Sequence, residues 1–215
     1  MRQETDADAF ERTHARIMSV ARTAFLQSGF LGVSLRSIAT LAHVTTGAIY
    51  GHFSSKEDLF DHVVGPSGDG LFSLYQSLTD DFLSRPVEAQ SFDDMLEFEL
   101  DARACIVDYI YDHPEDFLII ARGSAGTRWE SYLDRFAEAE TSSTIEYERG
   151  ARESGVQLHE IDRTLLDVLA HFLAQGLFAP LLRGLDREDA QRFARRMGLF
   201  FHCGAQALME SDSNS

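Results

Sequence analysis

Between Ser34 and Glu57 the chain offers three helix starts in close succession, each a hydroxyl side chain followed by apolar residues at helical spacing. Ser34 is placed to cap a helix in which Leu35, Ile38, Ala39 and Ala42 share one face. His43-Val44-Thr45 reads as a tight break. Thr45 or Thr46 can cap a very short helix carrying Ile49, Tyr50 and Phe53. Ser54-Ser55-Lys56-Glu57 fits a capping box that opens a further helix with Leu59, Phe60 and Val63 inward. Ahead of them Ile17, Val20, Ala21, Ala24 and Phe25 form one apolar stripe, and Gly29 is the expected stop. Two short helices joined by a three-to-four-residue turn, apolar on their inner faces, make a helix-turn-helix. In that motif the first helix braces across a nucleic-acid backbone and the second presents its N-terminal residues to the major groove. The exposed face of the second helix here offers Thr45, Thr46, Gly47, Ala48, Gly51 and His52, so nothing bulky blocks entry.

Charge points the same way. The 215-residue chain carries a formal charge of −16, which taken alone argues against nucleic acid. Residues 12–56 nevertheless hold five basic side chains (Arg12, Arg16, Arg22, Arg36, Lys56) and no Asp or Glu. A surface that faces phosphate needs this, because each carboxylate would repel it.

The run from Ile38 and Ala39 through Ala42-His43-Val44-Thr45-Thr46-Gly47-Ala48-Ile49-Tyr50-Gly51-His52-Phe53-Ser54-Ser55-Lys56-Glu57-Asp58-Leu59 resembles the DNA-binding signature of the tetracycline-repressor (TetR) family of bacterial regulators. The resemblance covers about residues 12–63, including a Gly-x-x-Tyr-x-His-Phe-x-x-Lys run. Beyond it the likeness is one of length and helical character only. His43 stands where the family usually has glycine. That position calls for a left-handed backbone, which His tolerates better than most side chains.

The resemblance implies DNA contacts at Ser34, Arg36, Thr45, Thr46, Gly47, Ala48, Tyr50, Gly51, His52 and Lys56. The chemistry agrees. Arg36 can reach a guanine edge or a phosphate, and the Ala48 methyl can meet a thymine methyl. Thr45 and Thr46 bring hydroxyls and helix N-terminal N–H groups toward phosphate oxygens. Tyr50 and His52 can donate to phosphate. Lys56, the sole lysine, looks like a phosphate anchor. Plainer readings stand beside these: Tyr50 as core, Ser34 and Thr45 as caps, His52 as a surface histidine.

An all-α fold is expected, with a helix-turn-helix domain over 1–64 and a helical ligand-binding and dimerisation domain over 65–215. The six residues 65–70 hold three glycines and a proline, so a break or sharp kink is expected there. Further helices are read over 71–83, 92–112, 114–122, 129–153, 161–182 and 186–210, with a frayed tail over 211–215. The last two helices are apolar nearly all round. Leu165, Leu166, Leu169, Phe172, Leu173, Leu177 and Leu181, with Phe193, Met197, Phe200, Phe201 and Ala205, suit pairing with a second copy across a twofold axis. Intrachain core is the competing reading. A homodimer would set two heads on a roughly palindromic operator, as the family does.

The family also implies an effector cavity. Its candidates are Phe72, Tyr75, Phe98, Cys105, Tyr109, Phe117, Trp129, Tyr132, Phe136, Phe172 and Phe178, each equally suited to a core. The carboxylate excess beyond residue 57 hints at cationic ligands, while Arg103, Arg122 and Arg128 suit an anion equally well.

Enzyme signatures are missing. There is no Walker A run, dinucleotide fingerprint, nucleophile elbow or HExxH. Cys105 and Cys203 form no CxxC pair, and the adjacent His202 and Cys203 would lie on different helix faces, so neither metal nor cofactor is expected. The N-terminus is acidic and polar rather than basic and apolar, and the longest uncharged run of the apolar C-terminal part, residues 168–182, is shorter than a membrane span. The expectation is a cytoplasmic, dimeric repressor released from operator DNA by a small molecule. The alternative is a DNA-bound protein-interaction factor on the same scaffold, with no inducer.

Overall fold

A computed structural model describes residues 6–210; the expected frayed tail over 211–215 lies outside them. The described residues are all-α. The helices are α1 (Asp6–Gly32), α2 (Leu35–Leu41), α3 (Thr46–Tyr50), α4 (Lys56–Leu83), α5 (Phe92–Asp112), α6 (Pro114–Gly123), α7 (Tyr132–Glu153), α8 (Arg163–Leu182) and α9 (Arg187–Glu210), with one 3₁₀ turn at Val87–Ala89. They fall into two compact units. One runs to Gly70 and takes in His113–Glu130; the other comprises Leu71–Asp112 and the chain from Ser131. The boundary expected at residue 64 thus falls inside α4, and α6 packs with the N-terminal unit.

In that unit the apolar stripes meet as spaced. Ile17, Ala21 and Phe25 of α1 are buried along with Ile38, Ala39, Ile49, Phe53, Leu59 and Phe60. Phe25 and Phe30 both set ring edges against Phe60, at 4.9 and 5.4 Å between centroids. Gly29 breaks α1 with φ +66°. The same glycine admits α6: a Cβ on Gly123 would stand 3.0 Å from the Gly29 Cα. Side chains at either position would push the two helices apart.

The break expected over residues 65–70 is absent; α4 runs on through Pro66. Tertiary contacts explain why. Gly68 is a seat for Trp129, since a Cβ there would overlap ring atom Cζ3. Trp129 Nε1 donates to Asp61 Oδ1 at 2.6 Å, one helical stretch earlier. Arg22 Nη2 donates to the Val63 carbonyl at 3.3 Å, close to where proline interrupts the helix ladder. The Arg22 guanidinium also pairs with buried Asp116, which accepts from Ser67 Oγ at 2.5 Å. Propensity opposed the helix here, and packing of α1, α4 and α6 overrode it.

In the second unit α5 packs on α9, α7 on α8, and α8 on both α5 and α9. Tyr111 Oη donates to the Leu185 carbonyl at 2.8 Å, and Arg187 pairs with Asp108 and Asp112. Glu148 is fully buried on α7. Its Oε1 accepts from Ile161 N at 3.2 Å and its Oε2 lies 3.3 Å from Arg163, fixing the start of α8. By length and composition α8 could cross a membrane, but Leu166, Ala170, Leu173, Ala174, Leu177 and Phe178 are buried within the protein.

Candidate nucleic-acid interface and apolar cavity

The helix-turn-helix is assembled by local hydrogen bonds. Ser34 Oγ accepts from Ser37 N at 3.0 Å, and Ser37 Oγ in turn accepts from Ser34 N at 3.1 Å. Thr45 Oγ1 accepts from Ala48 N at 3.0 Å and so caps α3. His43 takes φ +53° in the turn. The reciprocal Ser54–Glu57 capping box expected for α4 does not form; Ser55 caps the helix instead, and Asp58 reaches back to Ser54. Ser55 Oγ accepts from Asp58 N at 3.0 Å, while Asp58 Oδ2 accepts from Ser54 N and Oγ at 2.7 and 2.9 Å. These bonds, Ser54 foremost, hold the Asp58 carboxyl below its ordinary pKa.

The ten expected contact residues divide by exposure. Ser34, Arg36, Thr45, Gly47, Tyr50 and Gly51 are exposed, and Tyr50, 58% exposed, is not core. Thr46, Ala48, His52 and Lys56 are half-buried. Among the described residues no carboxylate pairs with Arg36. Gly47 and Gly51 present bare backbone at the surface.

Two candidates carry roles that the sequence did not announce. The His52 ring lies tilted against Phe10, 3.9 Å between centroids, and 5.5 Å from His14, and its Nδ1 is buried without a hydrogen-bond partner. Burial first, and His14 second, lowers its pKa against a smaller opposite pull from Glu11. With Nδ1 buried, Nε2 is the ring nitrogen left to meet a phosphate. Lys56 Nζ donates to the carbonyls of Phe30 and Val33, at 3.0 and 3.1 Å. It therefore fastens α4 to the end of α1, with one ammonium proton left over.

The eleven effector candidates scatter. Tyr75 and Phe98 line a cavity of about 480 Å³ in the second unit. Phe117 and Trp129 are buried in the N-terminal unit, and Tyr132, Phe136 and Phe178 in the core of the second. Phe72 packs edge-on to Phe136 at 5.3 Å. Cys105 and Phe172 are exposed and Tyr109 is half-buried. Of the dimer candidates, Leu173, Leu177 and Leu181 are buried within the chain, and Met197 packs on Gly176, where a Cβ would overlap its sulfur. Leu169 and Phe201 are half-buried and line the cavity. Leu165, Phe172, Phe193 and Phe200 remain exposed, Phe200 at 74%, and of these Leu165 and Phe200 also border the cavity.

The cavity holds a polar cluster that sequence reasoning missed. Tyr75 Oη donates to Glu140 Oε2 at 2.7 Å, and Arg103 Nη1 donates to Glu99 Oε2 at 2.9 Å, with His202 Nδ1 3.6 Å from that oxygen. Burial disfavours the Glu99 carboxylate, but His202 and Arg103 outweigh it and its pKa falls. Burial likewise drives the Glu140 pKa up, against Arg103 and Tyr75. A signal was present. Glu140 lies on the stripe Phe136, Glu140, Ser143, Tyr147, where the helical period calls for apolar residues.

Residues 17–63, spanning the assembled turn and both its helices, match the family described as bacterial regulatory proteins, tetR family. The chain thus carries a TetR-family DNA-binding segment. Its curated relatives include the HTH-type transcriptional repressor KstR2 of Rhodococcus jostii, 31% identical over 75 residues, 35% of this chain and 36% of that one. The HTH-type transcriptional regulator TtgR of Pseudomonas putida is 34% identical over 119 residues, 50% of this chain and 52% of that one. The chain thus spans about a third to a half of the curated relatives it matches. Among solved structures, the ketosteroid transcriptional regulator KstR2 of Mycobacterium tuberculosis shares the fold, with a TM-score of 0.58 and 18% identity over 93% of this chain and 95% of that one.

Proposed function

We propose that this chain is a homodimeric TetR-family transcriptional repressor that binds a roughly palindromic operator through its N-terminal unit and leaves it when a small molecule occupies the second unit. The observation that carries the reading is the exposed, carboxylate-free face formed by Ser34, Arg36, Thr45, Gly47 and Tyr50 on a capped helix-turn-helix. Repressors and regulators by name among its relatives support the rest, as does an apolar cavity of a size that suits a drug-sized ligand. In this scheme the cavity's ligand favours one arrangement of the dimer, and operator affinity falls by population shift. The protein would act in the bacterial cytoplasm.

Fluorescence anisotropy with the DNA upstream of the protein's own gene tests the proposal. Wild-type protein is expected to bind that DNA at least tenfold more tightly than random sequence. Arg36→Ala is expected to remove about 1–3 kcal/mol of that affinity, the scale of one base contact, without shifting the thermal midpoint. Equal affinity for the two DNAs would refute it.

A further inference from the structure

The cavity of the second unit combines apolar walls with two glutamates, an arginine and a histidine, and their pairing is uneven. Arg103 is committed to Glu99 at 2.9 Å, with His202 at 3.6 Å from the same oxygen. An anionic ligand taking Arg103 would strand Glu99 without its partner, and an uncompensated buried charge is costly. Glu140 differs. Among the described residues no ion pair holds it, and the donor at its carboxyl is the neutral Tyr75 hydroxyl at 2.7 Å. The nearby hydroxyls of Ser143 and Thr144 are spent on its main-chain oxygen, each at 3.0 Å. Burial disfavours the ionised form of Glu140, and a cation placed beside it would restore that form.

The walls suit a cation as well. Phe82 and Phe98 stack at 4.9 Å, and the Arg85 guanidinium already lies 5.4 and 5.1 Å from their ring centroids. Cations gain from aromatic faces, most where water is excluded.

We propose that the cavity binds a lipophilic cation, an amine or quaternary ammonium on an apolar body, with Glu140 as its counter-charge. This rests on the effector reading above only for its consequence at DNA; the binding itself is separate.

The test uses the full-length protein without DNA and three ligands that differ in headgroup: decyltrimethylammonium, decanol and decanoate. Each displaces the neutral dye N-phenyl-1-naphthylamine. Decyltrimethylammonium is expected to bind at least tenfold more tightly than decanol or decanoate. Glu140→Gln and Glu140→Met are expected to bring it down to the decanol value while decanol binding holds, which also reports that the variants fold. Tightest binding by decanoate, no preference for the cation, or a cation preference that survives both substitutions would overturn the assignment. Cation binding that releases no operator DNA would leave the ligand class standing and count against the effector reading instead.

Discussion

Lys56 Nζ donates to the main-chain oxygen of Phe30 at 3.0 Å and lies 3.9 Å above the ring of the same residue. The only lysine in the chain is thus an internal fastening as well as a candidate DNA contact. It meets α1 just past the kink at Gly29, where helix-terminal carbonyls lack partners of their own. The same position serves the DNA face, because α4 starts directly after the turn that follows α3.

Lys56→Met keeps the stem and removes the charge. Losing charge-assisted hydrogen bonds at a half-buried site is expected to cost about 1.5–3 kcal/mol in urea unfolding. Operator affinity is expected to fall, and the slope of log affinity against log salt to flatten by about one unit, as for a lost phosphate contact. A stability loss with an unchanged slope would reduce Lys56 to a brace.

Gly68→Ala tests why α4 passes through its glycine-proline stretch. The added methyl would overlap the Trp129 ring, and overpacking of this kind costs about 1–3 kcal/mol. Trp129 is the only tryptophan, so its emission is expected to shift red as the ring leaves its buried seat. An unshifted spectrum with unchanged stability would show that the seat is not tight.

The features legible in the sequence are those written in neighbouring residues. The caps at Ser34 and Thr45, the left-handed turn at His43 and the stop at Gly29 each depend on a few residues of local backbone. Gly65 to Gly70 misled for the converse reason. Its glycines accommodate Trp129, about sixty residues along the chain, and no local rule reports that. Arg22 and Asp116, and likewise Tyr75 and Glu140, are joined by tertiary packing alone. Five buried aromatics passed for ligand candidates because a core and a pocket have the same composition; the interrupted stripe at Glu140 carried more information than any of them.

His52 makes the N-terminal unit sensitive to acid. Its pKa is lowered in the fold, by burial and then by His14 on α1, with Glu11 opposing; His14 also borders His62 on α4, whose Nδ1 lies 3.2 Å from Asp58. The unfolded chain takes up a proton near the ordinary value of about 6.5, while the folded ring resists. The contribution of neutral His52 is therefore whole above that value and is lost as pH falls through the folded-state pKa. Urea midpoints measured from pH 7.5 to 5 are expected to fall more steeply for wild type than for His52→Gln. Both proteins keep His14 and His62, so parallel curves would rule out His52 as the source.

The exposed apolar residues of α8 and α9 carry the dimer proposal. Leu165, Val168 and Phe172 follow one another at helical spacing on α8, and Phe193 and Phe200 lie two turns apart on α9. A monomer would leave these side chains in water, whereas a second copy across a twofold axis would cover them on both chains at once. Exposed as they are, their substitution should leave the fold intact. Phe172→Glu and Phe200→Glu are each expected to shift sedimentation from dimer to monomer while helical content holds. Each should also weaken operator binding, since a lone head engages one half-site and loses the effective concentration that a paired head supplies. A wild-type protein that sediments as a monomer at micromolar concentration would defeat the proposal, and so would dimers that survive both substitutions together.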